Sequence, residues 1–301
     1  MQKTLISIIG STGIGKTKLA IEMAKHIGTE IISCDSRQFF KEMKIGTATP
    51  TDEELAQAKH HFIGHLSVQD YYSIGQYEED ALEKIEEIFE KNDFAVLVGG
   101  SMMYEKAVVE GLNDLPEANA ENQEKLQKIL DEEGLEKLQE ILKNLDEEYY
   151  NVVHKENPRR LLRAIDVIWQ TGRKYSEIIA EPKHKRDFKV VRIGITAPRE
   201  IMYERINLRV DKMLEKGLID EVKSLTEYQK LVPLQTVGYT EIFKYLEGTW
   251  DLDFAVEEIK KNSRRYAKRQ ETWNRKVENV TWLPYDYSEE QLHEILSKIE
   301  K

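Results

Sequence analysis

Short apolar runs rich in β-branched residues alternate along the chain with longer segments of helical periodicity. The runs read TLISIIG, EIISCD, FAVLVGG and VVRIGITA, and each is followed by a loop and a helical pattern. In the first helical segment Leu19, Met23 and Ile27 recur every four residues, which places them on one buried stripe. Ser73 and Gln76 form a capping-box pattern that opens the helix before the third strand. This alternation predicts an α/β fold in which helices flank a parallel sheet.

The pattern changes between Asn113 and Arg186. Strand-like runs disappear there, and leucine-spaced helical segments dominate: NQEKLQKIL, LEKLQEIL and PRRLLRAIDVIWQ. Strand character returns at Lys189, and the chain is mainly helical again after Pro198, with one more apolar stretch at 280–284. We therefore predict a core formed by residues 1–113 and 187–301, which is split by an all-helical insertion domain at 114–186.

Bulk properties favour a protein of the cytoplasm. The chain has 301 residues, of which 40% are hydrophobic, and its apolar runs are shorter than the roughly 18 residues of a membrane span. The N-terminus lacks the pattern of a secretory signal, and the one cysteine, Cys34, cannot form an internal disulfide. We expect a soluble, cytoplasmic protein with no membrane partner.

Charge is distributed unevenly. A net charge of −11 argues against a nucleic-acid partner when taken alone, because phosphate binding relies on Lys and Arg. Acidic residues crowd positions 117–148, however, whereas KKNSRRYAKRQETWNRK at 260–276 has eight basic residues against one acidic. Helical spacing puts one set of residues on a single face close to Tyr266 and Trp273: Lys261, Arg265, Lys268, Thr272 and Arg275. We call its first three cations, Lys261, Arg265 and Lys268, the basic stripe. A solvated charged face is the alternative, but the local excess favours an anionic polymer.

Residues 10–17, GSTGIGKT, match the P-loop pattern GxxxxGK[ST] between a strand and an amphipathic helix. The glycines let backbone amides point at one anion, and the helix N-terminus adds partial positive charge. Lys16 reaches the outer phosphate, and the Thr17 hydroxyl is offered to Mg²⁺. The expected phosphate site comprises Gly10, Ser11, Thr12, Gly13, Ile14, Gly15, Lys16 and Thr17. The motif is typical of nucleotide-binding and ATP-binding proteins, so it leaves kinase, NTPase and transferase open.

Further polar residues follow the strands or lie on helices. Asp35 follows the second strand, where its carboxylate could bind Mg²⁺, cap the next element or act as a general base. Ser101 follows Gly99 and Gly100 at the end of the third strand, in a turn that is either substrate-facing or a plain connection. Arg205 and Arg209 lie four apart on one helix face, where they could reach a departing pyrophosphate or pair with neighbouring carboxylates.

Cations crowd the start of one helix in the insertion. Asn157 and Pro158 form an N-cap and first-turn pair, and Arg159, Arg160 and Arg163 follow directly. Positive charge at a helix N-terminus opposes the helix dipole, so an RNA phosphate would explain these arginines. Packing of their aliphatic stems over the neighbouring apolar face is the alternative.

Taken together, these segments resemble the tRNA dimethylallyltransferases, the isopentenyl transferases of tRNA. The resemblance runs from the P-loop to about Trp282. The segments follow the family's order: GSTGIGKT, SCDSRQ, KIGTATP, VGGSMMY, PRRLLRA, the helix with Arg209, QTVGYTE and RRYAKRQETWNRK. Their joint occurrence at fitting intervals is specific, although several are individually weak.

The resemblance implies that the P-loop holds dimethylallyl diphosphate with Mg²⁺ and that no nucleotide is hydrolysed. It implies that Asp35 takes a proton from the exocyclic amine of the adenosine 3′ of the anticodon, while Lys16 and Arg209 stabilise the leaving pyrophosphate and Ser101 completes the catalytic set. The expected enzyme is a monomer. Its expected tRNA contacts are Asp35, Ser36, Arg37, Gln38, Ser101, Gln123, Arg159, Arg160, Leu161, Leu162, Arg163, Gln235, Thr236, Gly238 and Tyr239, together with the basic stripe, Lys261, Arg265 and Lys268.

The chain departs from the family pattern at a few positions. Ser11, Gly13 and Ile14 stand where Pro, Ala and Ser are usual, Ser101 replaces a common Thr, and Gln123 replaces a frequent basic residue. None of these changes removes a proposed catalytic group. Three other functions share the P-loop or the basic helix: prenyl transfer to a free adenine nucleotide, phosphate transfer by a small-molecule kinase, and RNA binding without catalysis. The insertion and the basic stripe favour tRNA as the acceptor.

Overall fold

The β-branched runs form one parallel sheet in the computed structural model, which describes residues 2–299. The strands are β1 (Thr4–Gly10), β2 (Ile31–Ser33), β3 (His60–His61), β4 (Phe94–Val98), β5 (Lys189–Thr196) and β6 (Val280–Pro284). Their order is β3-β2-β4-β1-β5-β6, and every neighbouring pair is parallel. The predicted α/β fold is therefore confirmed. The two-residue strand β3 was not expected, because its histidines carry no apolar alternation.

Both faces of the sheet are covered, as a parallel sheet requires. Leu5 and Leu97 point into one hydrophobic cluster, whereas Ile6, Ile8 and Val96 point into the cluster on the opposite face. This division follows from the period of two along a strand. All residues of β1 and β4 are buried, which explains why β4 is continuously apolar and why β1 is apolar except at Thr4 and Ser7.

Helices and two 3₁₀ turns accompany the sheet. The helices are α1 (Lys16–Ile27), α2 (Asp52–Leu55), α3 (Ile74–Phe89), α4 (Met102–Glu110), α10 (Arg199–Glu215), α11 (Leu218–Ser224), α12 (Tyr239–Leu246), α13 (Leu252–Asn274) and α14 (Glu289–Ile299). The 3₁₀ turns are Thr226–Tyr228 and Val232–Leu234. The predicted capping box is confirmed: Ser73 Oγ accepts from Gln76 N at 3.1 Å, and the Gln76 side chain accepts from Ser73 N at 2.8 Å. No helix within residues 2–299 is long and apolar enough to cross a membrane.

The chain divides into two compact units. One comprises the sheet and its helices, up to Val109 and from Arg186 onward, and the other spans Glu110–Lys185, beside the predicted boundaries at 114 and 187. The second unit contains only helices: α5 (Ala120–Glu133), α6 (Leu135–Leu145), α7 (Glu147–Val152), α8 (Pro158–Thr171) and α9 (Tyr175–Ile179). The regularly spaced leucines of this segment form its core, in which Leu126, Leu138 and Leu161 are fully buried.

Three loops leave the same edge of the sheet. The P-loop follows β1, the segment with Asp35 follows β2, and the turn with Gly100 follows β4. Because these strands are neighbours and parallel, their carboxyl ends meet, which is where α/β proteins place their ligands. The fold thus brings together residues that lie up to about ninety positions apart in the chain.

Candidate active site

The P-loop closes around the ammonium group of Lys16. Gly10, Gly13 and Gly15 have φ angles of 151°, 76° and 113°, which residues other than glycine rarely adopt. Lys16 Nζ donates to the carbonyl oxygens of Gly10 and Ser11, at 3.0 and 2.8 Å. Gly15 caps α1, so that Lys16 and Thr17 lie in the first turn of that helix. The loop therefore has the form expected of an anion site.

Three of the predicted catalytic residues form one electrostatic site. Burial lowers the pKa of Lys16 to about 8, with the Asp35 carboxylate acting in the opposite direction and Arg209 in the same direction. Burial also lowers the pKa of Arg209, again opposed by Asp35. Two cations and one carboxylate from separate elements thus act on one another at the edge of the sheet.

Asp35 lies against the turn that follows β4. One of its carboxylate oxygens, Oδ1, accepts from Arg37 N at 3.2 Å, so that it caps its own loop. The other oxygen faces the β4 turn, since a Cβ added to Gly100 would lie 3.0 Å from Asp35 Oδ2. A Cβ on Gly99 would lie 2.5 Å from the carbonyl carbon of Cys34, closer than atoms can pack. The two glycines therefore allow the β2 and β4 loops to touch.

Ser101 holds the Asp35 loop from the other side. Its Oγ accepts from Ser36 N at 3.0 Å and lies 2.9 Å from Ser36 Oγ. Arg37 follows on the exposed side and donates to the carbonyl of Val232 at 3.1 Å. The hydroxyl of Ser101 therefore positions the loop that carries the proposed base, in addition to any contact with a substrate.

Helix α10 presents two arginines to the site. Arg209 Nη2 donates to the carbonyl oxygen of Thr47 at 3.1 Å, and Arg205 Nε donates to that of Gly13, in the P-loop, at 2.9 Å. The nearby carboxylate of Asp211 pairs with Lys260 at 2.8 Å. The sequence left open whether these arginines reach the site or pair with neighbouring carboxylates. In the structure both donate to backbone carbonyl oxygens of loops at the site.

Sequence reasoning missed Glu221, which holds the loop at 44–49 together with Gln38 and Tyr239. Glu221 accepts from the backbone amides of Ile45 and Gly46, at 2.7 and 2.9 Å, and from the hydroxyl of Tyr239 at 2.6 Å. Gln38 Nε2 donates to the carbonyl oxygens of Thr47 and Ala48 on the same loop. The KIGTATP segment gave a signal that this loop matters, but nothing in the sequence pointed to the distant carboxylate that fixes it.

The segment QTVGYTE has mixed exposure. Gln235 is exposed and Thr236 is half-buried, whereas Gly238 and Tyr239 are buried. Tyr239 packs so closely on Gly46 that a Cβ there would lie 2.5 Å from its ring. The predicted tRNA contacts of this segment stay predictions, and its buried members have structural contacts in this conformation.

Helix α13 carries the basic stripe on one face. Arg265 and Lys268, with Arg269, Thr272, Trp273 and Lys276, line a cavity of about 390 Å³, which we call the α13 groove. Lys106 approaches the ring of Trp273, at 5.7 Å from the centroid. Lys261, the third member of the stripe, pairs with Glu258 instead. The groove combines cations with an aromatic ring, as sites for nucleic acids do.

The buried face of α13 was not expected to contribute. Gln270 Nε2 donates to the carbonyl oxygen of Gly100 and its Oε1 accepts from Thr12 N, both at 2.8 Å. Tyr266 adds a donor to the same Gly100 oxygen at 3.1 Å. Gln270 occurs inside a strongly charged run, and charge patterning does not distinguish a buried amide from a solvated one.

In the helical unit, α8 begins as predicted, with Asn157 Oδ1 accepting from Arg160 N and Pro158 in the first turn. Arg159 and Arg160 are exposed, Leu162 and Gln123 are partly buried, and Leu161 is fully buried. Arg163 bonds to the carbonyl of Pro116 at 2.5 Å and pairs with Asp166 at 3.4 Å. Their roles in RNA binding stay predictions, and Arg163 also stabilises its own unit.

Known proteins resemble the chain along nearly its whole length. A tRNA dimethylallyltransferase of Christiangramia forsetii is 49% identical over 300 residues, covering 99% of both chains. The crystal structure of the tRNA isopentenylpyrophosphate transferase of Bacillus halodurans is 36% identical, with a TM-score of 0.73 over 99% of this chain and 96% of that one. A eukaryotic dimethylallyltransferase, whose structures describe it acting on tRNA, is 26% identical, with a TM-score of 0.83 over 99% of this chain and 77% of that one.

The family model for IPP transferases matches residues 38–277. These residues include the β4 turn, Arg209 and helix α13, whereas the P-loop and Asp35 precede them. With a match over most of its length and relatives at this level of identity, the chain belongs to the IPP transferase family.

Proposed function

We propose that this protein transfers the dimethylallyl group of dimethylallyl diphosphate to the exocyclic amine of the adenosine 3′ of the anticodon in tRNA and releases pyrophosphate. The observation that carries the proposal is the convergence of Lys16, Asp35 and Arg209 at the sheet edge, next to a complete P-loop. The names of its relatives support the same reaction.

The reaction makes two chemical demands, and each has a group to meet it. The bond between the allylic carbon and the diphosphate oxygen breaks, and negative charge grows on the leaving pyrophosphate, which Lys16 and Arg209 neutralise. A bond forms between that carbon and the adenine amine, and the proton of the amine passes to the Asp35 carboxylate. The second carboxylate oxygen, which faces the β4 turn, is available for this proton.

Magnesium fits the site as a partner of the pyrophosphate. Mg²⁺ usually keeps several waters and takes its other ligands from one or two protein groups and from phosphate oxygens. Thr17, in the first turn of α1, offers a hydroxyl in the position where P-loops hold this ion. Within residues 2–299 no group of three His, Cys, Asp or Glu side chains could hold a metal alone, so a shared site fits the chain better than a protein cage. When bound, the ion would offset part of the charge on the pyrophosphate.

The acceptor is assigned from the surface of α13. The α13 groove is lined by four cations and by the ring of Trp273. Such a groove suits an RNA backbone with an unstacked base, whereas a free nucleotide would need fewer cations. The target adenosine must leave the stacked anticodon loop before its amine can reach Asp35. A cytoplasmic location and a monomeric state remain expectations from the sequence.

The test is a comparison of acceptors and donors in one assay. The purified protein is incubated with dimethylallyl diphosphate, Mg²⁺ and unmodified tRNA, and pyrophosphate release is followed. We expect release only when tRNA is present. Release with a free adenine nucleotide and none with tRNA would reassign the acceptor, and phosphate transfer from ATP without use of the prenyl donor would identify a kinase.

A further inference from the structure

Helix α13 turns one face toward the P-loop. Ala267, Gln270 and Asn274 are buried along this face, at the three- and four-residue spacing of a helix. The hydroxyl of Ser11, in the P-loop, donates to the carbonyl of Ala267 at 3.4 Å. The proposed function places tRNA on the exposed face of this helix and gives no role to its buried face.

Gln270 is the polar centre of that face and is fully buried. Each end of its side-chain amide meets a different loop: Oε1 accepts from the Thr12 amide, and Nε2 donates to the Gly100 carbonyl. Both distances are 2.8 Å, and each bond satisfies a backbone group that would otherwise be costly to bury. One rigid amide thus sets the separation of the P-loop from the β4 turn.

These two loops carry opposite halves of the proposed reaction. The P-loop would hold the leaving group of the donor, whereas the β4 turn contacts Asp35, the proposed base for the acceptor amine. A Cβ added to Gly100 would lie 3.2 Å from Gln270 Nε2 and 3.0 Å from Asp35 Oδ2, so the amide and the carboxylate both lie on the side of Gly100 where a side chain would project. Transfer between bound groups requires reacting atoms at about 3 to 3.5 Å, and a misplacement of about 1 Å costs on the order of 10² in rate.

We propose that Gln270 is a positioning residue, which holds the donor loop and the base-bearing turn at the separation that prenyl transfer needs. The inference rests on the proposed function for its account of the two loops. It assigns no contact between Gln270 and a substrate, because the side chain is buried and both ends of its amide bond to backbone.

The chemistry of the amide provides a specific variant. Gln270→Glu keeps an acceptor for Thr12 N, but as a carboxylate it loses the donor to Gly100 and places a negative charge beside Asp35. The protonated carboxyl restores an O–H donor of nearly the same shape. Gln270→Leu removes both bonds. Tyr266→Phe is the matched control, since it removes a donor to the same Gly100 oxygen and leaves the Thr12 bond intact.

The experiment measures single-turnover prenyl transfer at saturating donor and tRNA, with each variant expressed relative to the wild type at the same pH. We expect Gln270→Leu to be slower by roughly 10² at every pH. We expect the ratio for Gln270→Glu to rise several-fold as the pH falls from about 8 to about 5, because its carboxyl group becomes protonated. The ratio for Tyr266→Phe should be nearer to one and independent of pH. Circular dichroism across the range and tRNA affinity should match the wild type for all three.

A second readout requires no transfer. We expect Gln270→Leu to weaken the binding of inorganic pyrophosphate with Mg²⁺ by about tenfold in calorimetry, because the P-loop loses its anchor at Thr12, and Tyr266→Phe to weaken it less. Folded Gln270→Leu protein that transfers and binds pyrophosphate like the wild type would overturn the inference, as would a flat ratio for folded Gln270→Glu. A wild type that binds pyrophosphate but prenylates no tRNA would refute the proposed function, and the calorimetric comparison would still decide the role of Gln270.

Discussion

The protonation of Lys16 links donor binding to pH. Burial lowers the pKa of Lys16 to about 8 in the donor-free protein. The diphosphate of the donor favours the charged ammonium, so binding above this pKa requires uptake of a proton. Affinity for the donor is therefore full below about pH 8 and falls as the pH rises above it.

The magnitude comes from the fraction of Lys16 that is neutral. With a pKa of about 8, this fraction is about 0.1 at pH 7 and about 0.9 at pH 9, so the apparent Kd should rise about tenfold between these values. That change corresponds to about 1.4 kcal/mol. Phosphate groups have a second pKa of about 6, so the donor itself changes little over this range.

Calorimetry without tRNA gives both the affinity and the number of protons bound. Titrations with dimethylallyl diphosphate in two buffers of different ionisation enthalpy should show uptake of about 0.9 proton per donor at pH 9 and about 0.1 at pH 7. Lys16→Met should bind more weakly and take up no proton at either pH. A wild-type Kd that stays constant from pH 7 to pH 9 without proton uptake would refute the placement of the Lys16 ammonium at the diphosphate.

Three further predictions concern the base, the second cation and the acceptor surface. Asp35→Asn should lower the single-turnover rate by roughly 10² to 10⁴ and leave tRNA affinity nearly unchanged; an active variant would exclude the general-base role. Arg209→Ala should slow the same step by roughly 10² to 10³, because a charge that stabilises the leaving group is lost, and an unaltered rate would make this residue purely structural. Replacement of Arg265, Lys268 and Lys276 by Gln should flatten the slope of log affinity against log salt by about two to three units, as measured by tRNA binding at several salt concentrations. Thermal unfolding serves as the control for this variant, and an unchanged slope would leave the α13 groove as a solvated face.

The features that depend on residues close together in the chain were predicted from the sequence. The strands of the sheet core, the P-loop and the caps of α3 and α8 each depend on neighbours in the chain, and all of them appear in the structure. The approach of Lys16 to Asp35 followed from topology, since parallel strands bring their carboxyl ends together. Arg209 lies within helix α10, and its place at the site was expected from the family resemblance. Family resemblance supplied the order of the segments.

The sequence did not predict the residues that hold the site from a distance. Glu221 binds the loop at 45–46 across about 175 positions, and Gln270 joins Thr12 and Gly100, which lie 258 and 170 positions away. No periodicity records such a contact, because it depends on how whole elements pack. The basic stripe shows the same limit: Lys261 has the spacing of a groove residue but pairs with Glu258, while Lys276 lines the groove and has no place in the stripe.

Mass analysis of the tRNA product identifies the nucleoside that is modified and therefore tests the proposed reaction itself. An unmodified tRNA with adenosine 3′ of the anticodon is incubated with dimethylallyl diphosphate, Mg²⁺ and either wild-type or Asp35→Asn protein, and a matched tRNA carries guanosine at that position. After digestion to nucleosides, we expect a dimethylallyl adenosine from the first tRNA with the wild type, little of it with Asp35→Asn, and none from the guanosine tRNA. Consumption of the donor without any prenylated adenosine, or prenylation at other adenosines alone, would contradict the proposed reaction.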